Sequence, residues 1–165
     1  MDTQSKIILI SGPTASGKSN FAVKLAKKID GEIINADSMQ VYRDFSTLSS
    51  RPSKTDLRKI KHHLYGFISS KKHFSTGAWL SLAKEKIKLC LNKNKIPIVV
   101  GGTGLYFEAI TKGMSKIPNI DFKKRNKIRA LHFKLGQKEF YKKLLKLDPL
   151  VKNKIEPFDT QRSIR

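Results

Sequence analysis

The eight residues Gly12-Pro13-Thr14-Ala15-Ser16-Gly17-Lys18-Ser19 constrain this chain more than any other stretch. They follow the apolar run Ile7-Ile8-Leu9-Ile10 and lead into residues with helical spacing. The pattern G-x-x-x-x-G-K-[S/T] between a strand and a helix is that of a phosphate-binding loop. Glycine at 12 and 17 permits backbone conformations and approaches that a Cβ would block. The loop N–H groups then turn inward around an anion, and the helix starting near Lys18 adds its positive end. Lys18 supplies a mobile point charge for a terminal phosphate, and the Ser19 hydroxyl is suited to ligate Mg2+. A glycine-rich turn without a ligand is the plain alternative. The complete motif in its proper flanks argues for a bound phosphate or diphosphate.

Around this loop the pattern is that of an α/β protein. Phe21, Ala22, Leu25, Ala26 and Ile29 share one face of a helix ending near Asp30-Gly31. Glu32–Ala36 reads as a second strand, which delivers Asp37-Ser38-Met39-Gln40 to the carboxyl edge where parallel sheets bind ligands. Asp37 can accept a proton there, hold Mg2+ through water, or merely cap the next turn. Between Tyr42 and Ser75 the signal weakens. Arg51-Pro52-Ser53 reads as a turn, Ser53 can cap a short helix through Lys61, and Leu64–Ile68 reads as a short strand.

Thr76-Gly77 opens a helix with Trp79, Leu80, Ala83, Ile87 and Leu91 on one face, closed by Asn92-Lys93-Asn94. Trp79 is expected in the core. Ile96–Val100 is a continuous apolar strand suited to the centre of a parallel sheet. It runs into Gly101-Gly102-Thr103-Gly104-Leu105-Tyr106, a second glycine-rich turn where the Thr103 hydroxyl can donate to a bound phosphate.

Adjacent His62 and His63 point apart in a strand or helix, and with no Cys or third ligand near them in sequence a structural role is favoured. The single cysteine, Cys90, excludes an internal disulfide, fits a reducing cytosol, and lies among apolar residues as a small buried hydrophobe. No apolar run is long enough for a signal peptide or a membrane span, so a cytoplasmic protein without membrane contact is expected.

Charge adds a partner. The chain carries 34 Lys and Arg against 13 Asp and Glu, a net +21. A phosphate loop does not require that excess, whereas a polyanion such as nucleic acid does. A solvated lysine-rich surface is the plainer reading. From Met114 to Arg165 there are 15 Lys and Arg against 5 Asp and Glu, a net +10. Ile128, Leu131 and Leu135, then Phe140, Leu144 and Leu147, recur at helical spacing, and Pro149 and Pro157 limit the later helices. The expected organisation is an α/β core over 1–113 and a basic helical segment over 114–165, built to touch a phosphate backbone.

Five stretches carry a resemblance: residues 12–19, Ala-Asp-Ser-Met-Gln-Val-Tyr-Arg at 36–43, His62-His63, Gly-Gly-Thr-Gly-Leu-Tyr at 101–106, and Asp-Thr-Gln-Arg-Ser-Ile-Arg at 159–165. In order and spacing they resemble the tRNA dimethylallyltransferases, over essentially the whole chain but only about the first half of a family member. The resemblance implies a P-loop NTPase-like parallel sheet flanked by helices, with the basic helical appendage. It implies transfer of dimethylallyl from its diphosphate to N6 of adenosine 37 beside the tRNA anticodon, with Mg2+. By position, Gly12, Pro13, Thr14, Ala15, Ser16, Gly17, Lys18 and Ser19 would form the diphosphate loop, with Ser19 on the metal. Asp37 would be the general base, and Thr103 would steady donor phosphate oxygens. Asp37, Ser38, Met39, Gln40, Arg125, Gln161, Arg162, Ser163, Ile164 and Arg165 would contact tRNA.

The chain departs from the family at Thr47–Pro52, where a Gly-Thr-Ala-Lys-Pro-like stretch is usual, and it stops inside the last motif. Poor stability and weak or no activity are therefore expected of this chain alone, with a separate polypeptide carrying the C-terminal half as one way to complete it. An inactive RNA-binding fragment, a small-molecule kinase and a free-adenine-nucleotide isopentenyltransferase are the rival readings. The kinase reading leaves the basic tail unexplained, and the Asp-Ser-Met-Gln stretch favours tRNA over the free nucleotide.

Overall fold

The computed structural model describes residues 6–45, 49, 51–52, 60–114 and 120–165. The chain divides into two compact units, Met1–Ser115 and Lys116–Arg165. In the first, four parallel strands lie in the order β1-β4-β2-β3: β1 Ile8–Ser11, β2 Gly31–Asn35, β3 His62–His63 and β4 Ile96–Gly101. Helix α1 (Lys18–Ile29) follows β1, α2 (Thr76–Leu91) follows β3, and α3 (Gly104–Lys112) follows β4.

The helices cover both faces of the sheet, which is why β2 and β4 are buried almost throughout. On one face Ile33, Ile98 and Val100 meet Ala22 and Ala26 of α1, with Leu25 and Ile29 half-buried beside them. Phe21 lies outside this contact and is exposed. On the other face Ile34 and Val99 meet Trp79, Leu80, Ala83 and Ile87 of α2 and Tyr106 and Ala109 of α3. Trp79 is wholly buried and stacks on Tyr106, with ring centroids 4.1 Å apart and planes 10° from parallel. Ser75 caps α2 by accepting the Ala78 N–H, and Asp30 closes α1 in a left-handed conformation.

One sequence expectation needs correction. The third strand is His62–His63, not Leu64–Ile68. Leu64 and Gly66 take φ of 63° and 54°, which turns the backbone out of extension, and Ile68 keeps only an isolated bridge to Tyr42. The expected Ser53 cap and most of its helix lie outside the described residues.

The histidines are packed into the sheet, with a third group that the sequence did not show. They do point to different surroundings. His62 Nδ1 lies 2.7 Å from the Ile60 carbonyl oxygen and its ring meets Tyr65 edge-on, whereas His63 Nε2 reaches Glu32 Oε2 at 2.6 Å. The missing third group is present, however. The Cys90 thiol donates to the same carboxylate at 3.5 Å. Burial pushes the Cys90 thiol up to about 12, with the Glu32 charge adding to it. Burial also pushes the Glu32 carboxyl upward, but bonds from His63 and Cys90 outweigh it and hold it below its ordinary value.

Helix α4 (Phe122–Leu147) opens the second unit, capped by Asp121 and broken at Gly136, whose φ of 70° and ψ of 165° are not helical. The break separates the two apolar series seen in the sequence. Phe140 and Tyr141 are buried, but Ile128, Leu131 and Leu147 remain exposed, so only part of the stripe is used within the described chain. Tyr141 donates to the Ile155 carbonyl at 2.8 Å, beyond the 3-10 turn Pro149–Asn153. The short helix α5 (Thr160–Ile164) is capped by Asp159.

One glycine brings the loops of the sheet's carboxyl edge together. A Cβ on Gly101 would stand 2.1 Å from the Ala36 carbonyl oxygen and 2.2 Å from its carbon. Backbone cannot yield there without separating β4 from the end of β2. Gly101→Ala is expected to lower stability by about 3 kcal/mol, the upper range for overpacking. A urea titration followed by circular dichroism measures it, and an unchanged midpoint would contradict this packing.

Candidate active site

The loop after β1 and the turn after β4 touch through their backbones, with the Gly12 N–H bonded to the Gly101 carbonyl at 3.4 Å. Within the loop, Ala15 and Gly17 take φ of 65° and 78°. Gly17 is the residue before α1 and offers no side-chain cap, and the first helical bond runs from the Phe21 N–H to the Gly17 carbonyl. The N–H groups of Lys18, Ser19 and Asn20 are therefore left at an open, positive helix end. Lys18 Nζ folds back and donates to the Pro13 carbonyl at 2.8 Å. Thr14, Ala15, Ser16 and Ser19 are exposed. This is a cradle of donors with the Lys18 ammonium beside it.

Asp37 faces the same mouth, and its two carboxylate oxygens are used differently. Oδ1 accepts the Met39 and Gln40 N–H groups at 2.9 and 3.4 Å, so the capping function exists. Oδ2 has no hydrogen-bond donor among the described residues. It lies 4.0 Å from where a Cβ on Gly102 would stand, a position itself 3.3 Å from the Gly12 carbonyl oxygen. One oxygen holds the turn while the other stays available at the phosphate loop.

Thr103 closes the arrangement. Its Oγ1 accepts the Ser38 N–H at 2.9 Å and donates to Ser38 Oγ at 3.3 Å. Its hydroxyl proton is thus held by a long bond that a phosphate oxygen can replace. Met39 is half exposed, and the Gln40 amide donates to the Ser49 carbonyl at 2.8 Å.

Sequence reasoning gave Asn35, Tyr65 and Tyr106 no role at this corner, and it gave Trp79 only a place in the core. The wholly buried Asn35 accepts the Asp37 N–H at 3.0 Å and donates to the carbonyls of Asp37 and Leu64 at 2.9 and 3.0 Å. Trp79 Nε1 donates to the Asn35 carbonyl at 2.8 Å, so the core anchors the carboxylate's backbone. Burial, then the neighbouring Tyr42 phenol and the Asp37 carboxylate, push the Tyr106 phenol up to about 12. Burial and then Asp37 push the Tyr65 phenol up as well. Both stay protonated donors near Asp37. An asparagine ending a strand is the one sequence signal that could have drawn attention to Asn35.

The remaining candidates lie in the second unit. Arg125 is exposed on the first turn of α4. Gln161, Arg162, Ser163 and Ile164 form α5 with Arg165 at its end, and Gln161, Arg162 and Arg165 are exposed. Ser163 is buried, donates to the Asp159 carbonyl at 2.7 Å and accepts Gln137 Nε2 at 3.2 Å. No helix among the described residues is long and apolar enough to cross a membrane.

A parallel sheet with a phosphate loop and a carboxylate at its carboxyl edge defines the P-loop NTPase-like α/β class. Within it, the family model for IPP transferase matches residues 40–165, and the chain belongs to that family. It is 65% identical over its full 165 residues to the tRNA dimethylallyltransferase of Pelagibacter ubique, covering 53% of that relative. To the enzyme of the same name from Rickettsia massiliae it is 48% identical, over 98% of this chain and 45% of the other. A eukaryotic dimethylallyltransferase solved acting on tRNA superposes with a TM-score of 0.80 at 30% identity, over 98% of this chain and 40% of that one. The tRNA isopentenylpyrophosphate transferase of Bacillus halodurans gives 0.67 at 32%, over 98% and 54%. The chain thus spans about half the length of the relatives it matches.

Proposed function

We propose that this chain carries the donor site and general base of a tRNA dimethylallyltransferase, acting in the cytosol on N6 of adenosine 37 beside the anticodon. The observation that carries this reading is the Asp37 carboxylate, with one oxygen fixed to its own turn and the other open beside the phosphate loop. The diphosphate of dimethylallyl diphosphate fits the loop at 12–19, against the open N–H groups of α1 and the Lys18 ammonium. Ser19 would hold Mg2+, which when bound neutralises charge on the leaving diphosphate.

In the reaction the N6 lone pair forms a bond to the allylic C1 carbon while the C1–O bond breaks. The electron pair leaves with the diphosphate, where Lys18, the loop N–H groups and the Thr103 hydroxyl receive it. The amine proton passes to Asp37 Oδ2. Because the target base sits in a folded loop, it must be extruded to reach this corner. Asp37–Gln40, Arg125 and the exposed Gln161, Arg162 and Arg165 are the tRNA contacts this reading assigns, within the basic excess of the chain.

The test is transfer of labelled dimethylallyl to unmodified tRNA by the folded chain with Mg2+. Asp37→Ala is expected to slow transfer by about 10²–10⁴-fold, the range for a general base. Consumption of ATP with a small acceptor would instead favour a kinase. A second reading, an RNA-binding fragment, is favoured by β1. Its outer edge is unpaired among the described residues, and Ile7 and Leu9 are more than two-fifths exposed. A further strand, from the rest of such a protein or from a separate polypeptide, would cover both. That reading predicts tRNA affinity that collapses with salt and no transfer.

A further inference from the structure

We propose that Glu32, His63 and Cys90 form a zinc site at the amino end of the sheet, separate from the phosphate loop and independent of prenyl transfer. Glu32 is the second residue of β2, His63 ends β3, and Cys90 lies in the last turn of α2. All three are buried, and one donor atom from each lies within 4.8 Å of the other two. Asp37 is five residues further along the chain, about 16 Å away at strand rise, so the phosphate loop does not account for this cluster.

The donor set is what selects the ion. An imidazole nitrogen, a thiolate and one carboxylate oxygen suit Zn2+, whereas Mg2+ and Ca2+ take oxygen ligands. A tetrahedral zinc with ordinary bond lengths spaces sulfur about 3.6 Å from nitrogen and oxygen, and nitrogen about 3.3 Å from oxygen. The observed separations are 3.5 Å from Sγ to Oε2, 4.0 Å from Sγ to Nε2 and 2.6 Å from Nε2 to Oε2. The carboxylate and imidazole therefore need to part by about 0.7 Å, a displacement that side-chain rotation supplies. A water molecule would have to complete the tetrahedron as the fourth ligand.

Charge closes the case. Two anionic ligands and one dication sum to zero, so the loaded site buries no net charge, whereas an isolated buried carboxylate is costly. On loading, the Cys90 thiol proton is released, Nε2 gives up any proton it presents to Glu32, and S–Zn, N–Zn and O–Zn bonds form. No oxidation is involved. The alternative is a hydrogen-bonded clamp among β2, β3 and α2 with no ion, which the same distances would serve.

The experiment is to incubate the folded chain with Zn2+, remove free metal by gel filtration, and measure zinc per chain. Co2+ is then substituted and read by absorption. The expected result is one equivalent retained, a thiolate-to-cobalt charge-transfer band, and protection of Cys90 from a thiol reagent under partly denaturing conditions. Cys90→Ser preserves side-chain size and is expected to lose the band and at least tenfold in affinity. Cys90→Ala, checked for folding by circular dichroism, serves should serine disturb the core. Retention equal in the chain and its Cys90 variants would place the metal on exposed groups such as His73. That result, or no retention by folded protein, would overturn the proposal and leave the clamp.

Discussion

Trp79→Ala is expected to cost about 3–5 kcal/mol, enough to remove most of the stability of a domain of this size. The indole has no solvent exposure, it stacks on Tyr106, and it packs under Ile34 and Val99 of the sheet. Truncation to alanine leaves a cavity that α2 and α3 close only in part, because short connections tie the end of α2 and the start of α3 to β4. It also strips the Asn35 carbonyl of the indole N–H, a buried loss of about 1 kcal/mol more. A urea titration followed by far-ultraviolet circular dichroism measures the shift. Trp79→Phe keeps a ring against Tyr106 but not the N–H, so it should fall between the two. A midpoint for the alanine variant within error of the parent would mean that the stack carries little of the fold.

The same residue shows how far the sequence could be read. Trp79, Ala83 and Ile87 announce their core face by helical spacing, and the Gly12–Ser19 motif announces both its loop and the strand before it. Such signals are local, since each needs only a few consecutive residues to be recognised. What was illegible depends on contacts between distant segments. Glu32, His63 and Cys90 are separated by 27 to 58 residues and converge only because β2 and β3 pair in parallel beneath α2. Asn35 is likewise an ordinary strand-ending asparagine until its partners at Asp37, Leu64 and Trp79 are seen. The misplaced third strand has a local cause of another kind. Leu64-Tyr65-Gly66-Phe67-Ile68 has strand-like composition, yet Leu64 takes a positive φ that its side chain disfavours, and the buried Asn35 bond to its carbonyl helps hold it there.

These contacts also explain why fold and site stand or fall together at this corner. Asp37 owes its place to Asn35, Asn35 to Trp79, and Trp79 to Tyr106, whose backbone N–H in turn bonds to the Thr103 carbonyl. The chain of contacts returns to the Thr103 hydroxyl that holds Ser38. A substitution in the core can therefore reach the proposed base without touching a ligand, whereas one in the phosphate loop should leave the fold alone.

Lys18→Ala tests the second half of that statement. It is expected to weaken diphosphate binding about 100-fold while changing the unfolding free energy by no more than about 0.5 kcal/mol. The hydrogen bond of its side chain runs to the Pro13 carbonyl, an exposed contact within the loop itself, so little stability depends on it. A bound diphosphate would take the ammonium from that carbonyl and gain about two charge-assisted bonds, each worth about 1.5 kcal/mol. Arginine should not rescue the loss, because a planar fork does not fit where a compact charge on a flexible stem is required. The chain's net charge of +21 makes the control essential, since any polyanion is drawn to such a surface. Lys27 lies in the exposed last turn of α1, away from the loop, and Lys27→Ala should reduce only the salt-sensitive, non-specific part. Titration calorimetry with dimethylallyl diphosphate and Mg2+ at two salt concentrations separates the components. Equal losses in the two variants would mean that the donor is held by bulk charge and that the loop at 12–19 does not form a diphosphate site.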